Sequence, residues 1–284
     1  MNRWQQPSVL RTVLVATTLL GGLAIAGEAQ PRRILIIAGT PDGHPPGTHE
    51  YAKSAELVRD AVANDAAASG DSVAVETATG GWPMDPAAIE RADTIALFTS
   101  GSDRREQDHP LLVGDHMDQI AKAMARGCGL VTFHYSTFAP NRIGPRILEW
   151  TGGYFDYESG PGPQKWYSRI NTWEARLEPA TPDHPICRGI EPFTIKEEIY
   201  WRIRFRDDDP RLVPILKTVA AGDKEPQTVA WAVERADGGR GFGFTGGHFF
   251  AHWENELFRR LMVNAILWTA KADVPEAGSM PSGR

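Results

Sequence analysis

Eight histidines are spread through the chain, and two of them, His248 and His252, fall in one short segment, Gly246-Gly247-His248-Phe249-Phe250-Ala251-His252-Trp253. Imidazole is the side chain that can hold a metal ion, move a proton near neutral pH or grip a sugar hydroxyl. The segment joins a strand-like run, residues 240–245, to a helical run, residues 254–270. In an open α/β sheet that kind of turn is where ligands bind. The two glycines before His248 allow the backbone to approach its neighbours closely.

The remaining candidates are defined by the strands that would carry them. A first buried run (33–40) ends in Gly and Thr and is followed by a Gly/Pro-rich loop (41–47) holding His44 and a helix start holding His49 and Glu50. A third run (94–99) leads to Ser100 and Asp103, and a fourth (129–135) delivers His134. If these strands are parallel, their C-terminal ends share one rim, and five histidines and a carboxylate line one crevice. Each residue has a plainer alternative: His134 bonded to a backbone carbonyl, His252 and Trp253 packed at the helix start, His44 and His49 solvated. His109 and His184 precede prolines and His116 lies on a helix, so all three read as structural. Glu197-Glu198 and Asp207-Asp208-Asp209 read as solvated faces, except that Glu198 alternates with Tyr200 along a strand.

Short apolar runs alternate with helical stretches through the first half: strands at 33–40, 72–79, 94–99 and 129–135, helices at 48–67, after Asp85-Pro86 and at 109–125. That alternation predicts a Rossmann- or flavodoxin-like, mostly parallel sheet between two helical layers. From 152 to 216 the chain turns aromatic and Pro/Gly-rich, with alternating segments at 166–177 and 195–205 that predict an antiparallel excursion. The sheet resumes at 228–234, turns at Asp237-Gly238-Gly239 and continues at 241–245. An apolar face at helical spacing, from Leu257 to Trp268, closes the domain. The domain should span residues 30–275, with a loose tail at 276–284.

A chain of 284 residues with 42% hydrophobic content can bury a full core. Its net charge of −6 argues against a nucleic-acid partner. No Walker or G-x-G-x-x-G pattern follows a strand, so no nucleotide is expected. Residues 1–29 pair Arg3 and Arg11 with an uncharged apolar stretch and small residues at 24–29, the pattern of a secretory signal. Export to a bacterial periplasm or beyond is therefore expected, with no stable membrane span after cleavage. Cys128 and Cys187 read as two unpaired buried side chains. A homo-oligomer is compatible with all of this.

Taken together, ILIIAGT with GHPPGTHE, GLVTFHYST, HPICRGIEPF with EEIYW, VAWAVE, and GRGFGFTGGHFFAHW with FRRLMVNAILWTA resemble the ThuA-like family, named for trehalose utilisation. The resemblance runs from about 33 to 275 and implies a class I glutamine amidotransferase-like fold. In those amidotransferases a Cys occupies the elbow after a central strand and a His follows the last sheet strand; here His134 and His248 stand near those positions. Cys128 precedes its strand, so the thiolate nucleophile is missing. Cys187 stands where the family motif commonly has Thr. The family's association with trehalose and 3-keto-disaccharides implies a carbohydrate ligand. Two chemistries fit: His134 and His248 as an acid–base pair, or as ligands of a divalent metal such as zinc completed by His49 and Glu50. His44, Glu198, His252 and Trp253 would then hold the sugar. A non-catalytic carbohydrate-binding protein is the competing reading.

Overall fold

The computed structural model describes Met1 and residues 30–279, apart from Asp71, Gln164 and Ala221. The expected signal segment, Met1 excepted, and residues 280–284 lie outside the described residues.

The chain runs β1 (Arg32–Ala38), α1 (Tyr51–Ser69), β2 (Val73–Thr79), α2 (Ala87–Arg91), β3 (Thr94–Phe98), α3 (His116–Ala125), β4 (Gly129–Phe133) and α4 (Gly144–Trp150). It continues through β5 (Gly153–Tyr154), β6 (Arg169–Pro179), β7 (Phe193–Trp201), β8 (Arg204–Phe205), β9 (Leu212–Val219), β10 (Pro226–Glu234), β11 (Arg240–Phe244) and α5 (Glu256–Thr269). Nine strands form one sheet in the order β2-β1-β3-β4-β11-β10-β9-β6-β7. The first five of these are mutually parallel. The last four are joined by antiparallel pairings.

β1, β3 and β4 are apolar on both faces because both faces are covered. Ile34 and Ile36 point into a core shared with α1 and α5, while Leu35 and Ile37 point into one shared with α2, α3 and α4. Each such side chain contributes roughly 1.5–3 kcal/mol on burial. The expected three-layer α/β architecture is what forms. Among the described residues no helix is long and apolar enough to cross a membrane.

Three local departures have physical causes. The helix expected over 109–125 starts only at His116, because Pro110 opens a separate 3-10 turn and Gly114 takes a left-handed φ of 55°. The helix expected from 48 starts only at Tyr51, because Thr48 bridges to Phe249, which ties the loop after β1 to the loop after β11. The tail expected to be loose is pinned at Ser279, whose N–H donates to Asn264 Oδ1 at 2.9 Å and whose carbonyl accepts from Arg260 Nε at 2.7 Å.

The antiparallel excursion builds the site. The β6–β7 hairpin pairs with β9 at Glu178 and Pro179. Beyond that it folds back, so that β7 lays Ile199 against Gly246 and Tyr200 against His134.

Candidate active site

Three loops at the C-terminal ends of parallel strands each deliver one imidazole to a common point. His49 comes from the loop after β1, His134 from the turn after β4 and His248 from the turn after β11. Both His49 and His134 hold left-handed backbone, with φ of 50° and 49°. That conformation costs a non-glycine residue on the order of 1–3 kcal/mol, and it clusters at functional sites. At the third position the strain is carried by glycine. Gly247 has φ 117°, and a Cβ there would lie 2.0 Å from the Phe133 ring; a Cβ on Gly246 would lie 2.7 Å from Phe244.

The ring nitrogens form a small triangle. His49 Nε2 is 3.1 Å from His134 Nε2 and 3.0 Å from His248 Nδ1, and the third side, His134 Nε2 to His248 Nδ1, is 3.3 Å. Two tautomers are set by outside partners. His49 Nδ1 donates to Asp42 Oδ2 at 2.7 Å, and His134 Nδ1 donates to the Thr245 carbonyl at 2.9 Å. Each therefore turns an Nε2 lone pair inward. A proton on His248 Nδ1 can bond to only one of the two facing lone pairs, whereas a cation at the centre can engage all three nitrogens. For metal–nitrogen bonds of about 2.0–2.1 Å, ligand nitrogens lie about 2.9 Å apart at octahedral angles and about 3.3 Å apart at tetrahedral ones. The triangle falls within that range.

Burial weights the imidazoles towards the neutral form that ligates metals. Desolvation pushes His134 well below the usual histidine range, with His49 adding to it, and holds His248 down at about 4. His49 is also lowered by burial, against the opposing pull of Asp42. Burial alone would raise the Asp42 carboxyl, but hydrogen bonds from His49, Tyr51 and His44 outweigh it and keep the group ionised.

β7 supplies the remaining groups. The Tyr200 hydroxyl lies 2.7 Å from His134 Nε2, whose single lone pair can accept its proton or ligate a cation but not both, and Glu198 Oε1 lies 3.3 Å from His248 Nδ1 and 3.7 Å from His134 Nε2. Burial raises the Glu198 carboxyl above its ordinary range. Glu197 points to the opposite face and is fully buried rather than solvated as expected. Its Oε1 accepts from the His248 and Glu198 N–H groups at 3.1 and 2.6 Å, clamping the turn that carries His248; desolvation pushes it up to about 8.

Of the residues expected at the rim, His44, His49, His134, His248 and Glu198 converge, and three do not. Glu50 turns away, its carboxylate held by Gly47 N–H at 2.9 Å and Lys53 at 2.9 Å, so it is not a ligand. His252 points away from the triangle to the Lys196 carbonyl, 2.9 Å, and Glu197, 3.4 Å. Trp253 is core: it is 3% exposed, packs on Phe133 and Phe258 and donates to Ser54. His44 stacks on His49 at 3.7 Å and donates to Asp42 Oδ1 at 2.7 Å, beside a cavity of about 500 Å³. Ser100 lines that cavity, and Asp103 accepts from the Tyr135 hydroxyl. Sequence reasoning missed Asp42, two residues before His44, and the Tyr200 hydroxyl, two residues after Glu198. Both share a loop or a strand face with a candidate already chosen, and that proximity was the available signal.

Neither cysteine reaches the rim: Cys128 and Cys187 are buried and unpaired, and burial raises their thiols to about 12 and 11.

The trehalose utilisation family ThuA matches residues 33–269. The chain belongs to the ThuA family. Its structural relatives share the fold at low identity. A ThuA-like protein from Bacteroides uniformis is 15% identical with a TM-score of 0.59, over 88% of this chain and 95% of its own. A ThuA-like protein from Parabacteroides merdae is 16% identical with a TM-score of 0.58, over 89% and 98%. A cytoplasmic protein of Salmonella typhimurium is 12% identical with a TM-score of 0.51, over 84% and 97%. No curated protein matches this ThuA chain.

Proposed function

We propose that this ThuA-family chain is an exported enzyme of carbohydrate metabolism that acts on a 3-keto-disaccharide or glycoside through a divalent-metal site formed by His49, His134 and His248. The observation that carries the reading is the triangle of ring nitrogens, 3.0 to 3.3 Å on a side, with two lone pairs fixed inward by Asp42 and Thr245. The donor set suits zinc or a similar ion: neutral imidazoles, each of the first two oriented by a partner on its other nitrogen.

A bound ion supplies a Lewis acid for a substrate carbonyl. Oxidation at a sugar carbon acidifies the neighbouring C–H, so the chain must supply a group that takes and returns a proton. Glu198 fits that task, since burial lifts its carboxyl towards neutrality and its oxygen already faces the imidazoles. Tyr200 is placed to donate a hydrogen bond beside it. Export rests on the pattern of residues 1–29.

The test is metal analysis of purified protein offered zinc, manganese or nickel, followed by incubation with 3-keto-glycosides in deuterated water. About one ion per chain is expected, together with turnover or deuterium incorporation that is lost in Glu198→Gln. Wild type that stays free of metal after loading would count against the metal site. Sugar binding with neither turnover nor exchange would favour a binding protein.

A further inference from the structure

The cavity beside the imidazole triangle lies where the sheet reverses its winding. β1 leads to β2 on one side and the chain then crosses back to β3 on the other, so the crevice between the ends of β1 and β3 is the topological switch point. Ile37 and Gly39 line it, as do His44 and Asp42 of the imidazole cluster. Its volume of about 500 Å³ is that of a small-molecule site.

Two features of its wall suit a sugar body. Thr40, Thr99, Ser100 and Ser102, four hydroxyl-bearing residues, line it. At the end away from the triangle, Trp82 is stacked on His116 at 4.0 Å and fixed by its indole N–H to Gln119 at 2.9 Å, giving a rigid aromatic edge. Its charges suit something more. The lining carboxylates already have partners: Asp42 takes His44, His49 and Tyr51, and Asp108 takes Arg105 at 2.9 Å. Nearby Asp103 is bonded to Tyr135. Arg104 also lines the cavity and, among the described residues, has no carboxylate partner. The loop bearing both arginines is shaped by a left-handed Ser102, φ 47°, whose N–H donates to Ser100 Oγ at 3.0 Å. Strained backbone of this kind recurs at ligand clamps.

We infer that this cavity is the substrate pocket and that it selects a glycoside carrying one anionic group, carboxylate or phosphate, held by Arg104 while the reacting sugar reaches the imidazole triangle. The guanidinium fork matches either anion. The sugar body rests on the function proposed above; the anionic group rests on Arg104, the lining guanidinium that has no carboxylate partner among the described residues.

Calorimetric titration of the full chain, metal-loaded and metal-stripped, with cellobionate, glucose 6-phosphate, cellobiose and trehalose tests this. The anionic sugars should bind roughly tenfold to a hundredfold more tightly than the neutral ones. Arg104→Gln should bring them down to the affinity of cellobiose. Preference for cellobionate identifies a carboxylate and preference for glucose 6-phosphate a phosphate; both support the inference. Equal binding of neutral and anionic sugars overturns it while leaving the carbohydrate reading intact. A preference that survives this substitution overturns it too. If none of the four binds, both fall, whereas anion-selective binding by a protein that never takes up metal removes only the metal site.

Discussion

The rim where β1, β4 and β11 end and the loop between β3 and α3 both bury histidine, and the two regions use it in opposite ways. In the loop, His109 is 4% exposed and both its nitrogens are spent on the backbone: Nε2 donates to the Phe138 carbonyl at 3.1 Å and Nδ1 accepts from Leu111 N–H at 3.2 Å. At the rim, His134 is 2% exposed and spends only one nitrogen on a carbonyl. Its other nitrogen faces two more imidazoles and the Tyr200 hydroxyl, with no backbone partner. Burial depresses both titrations, so a low histidine pKa does not tell a structural imidazole from a ligand. What separates them is whether the second nitrogen already has a complementary backbone partner.

The largest expected effect breaks that comparison most directly. His134→Ala should weaken binding of zinc, or of whichever ion loads best, by a thousandfold or more, because one of three convergent ligands is gone. His109→Gln should leave stoichiometry and affinity intact, and lose stability instead. Equilibrium dialysis on the two variants, with circular dichroism as the folding control, decides it. Equal loss of metal in both would erase the distinction.

A smaller effect sharpens the loop side. His109 titrates near 4 in the folded protein, against about 6.5 when unfolded. Between those values the unfolded chain takes up a proton that the folded chain refuses. The native state therefore loses stability as pH falls from about 6.5 to about 4, by about 3 kcal/mol in full. Urea unfolding across that window should show a shallower acid slope in His109→Gln than in wild type. An unchanged slope would mean that His109 is neither buried nor neutral.

The same contrast explains what was legible in the sequence. Strands buried on both faces read as unbroken apolar runs, so β1, β3 and β4 and the histidines at their ends could be located, and Gly246-Gly247 marked the close approach that seats His248. The hairpin of β6 and β7 was visible as alternation, but alternation does not say which face is inward: Glu197 and Glu198 look equivalent until β7 folds back against the rim. His252 and Trp253 failed for a related reason. A 3-10 turn over Phe250–Glu254 precedes α5 and rotates both away from the triangle, and no residue in it signals that rotation. Glu50 failed because its carboxylate had a nearer donor in Gly47 N–H.

The smallest effect concerns the group that most distinguishes the rim from the loop, a carboxylate behind the imidazole. Asp42 accepts from His49 Nδ1 at 2.7 Å, from His44 Nδ1 at 2.7 Å and from Tyr51 at 2.6 Å, so its two oxygens orient two rings at once. In Asp42→Asn one oxygen becomes an amide that donates, and it must face a donor wherever it points: an imidazole N–H or the Tyr51 hydroxyl. One ring then loses its fixed tautomer, and the charge that makes His49 a better ligand disappears. Metal affinity should fall about 10- to 100-fold, the usual cost of removing an outer partner, and less than in His134→Ala. The folded structure should survive, because Asn keeps the shape and one acceptor. A loss as large as that of His134→Ala would make Asp42 a ligand in its own right, and no loss would mean that His49 is oriented by its strained backbone alone.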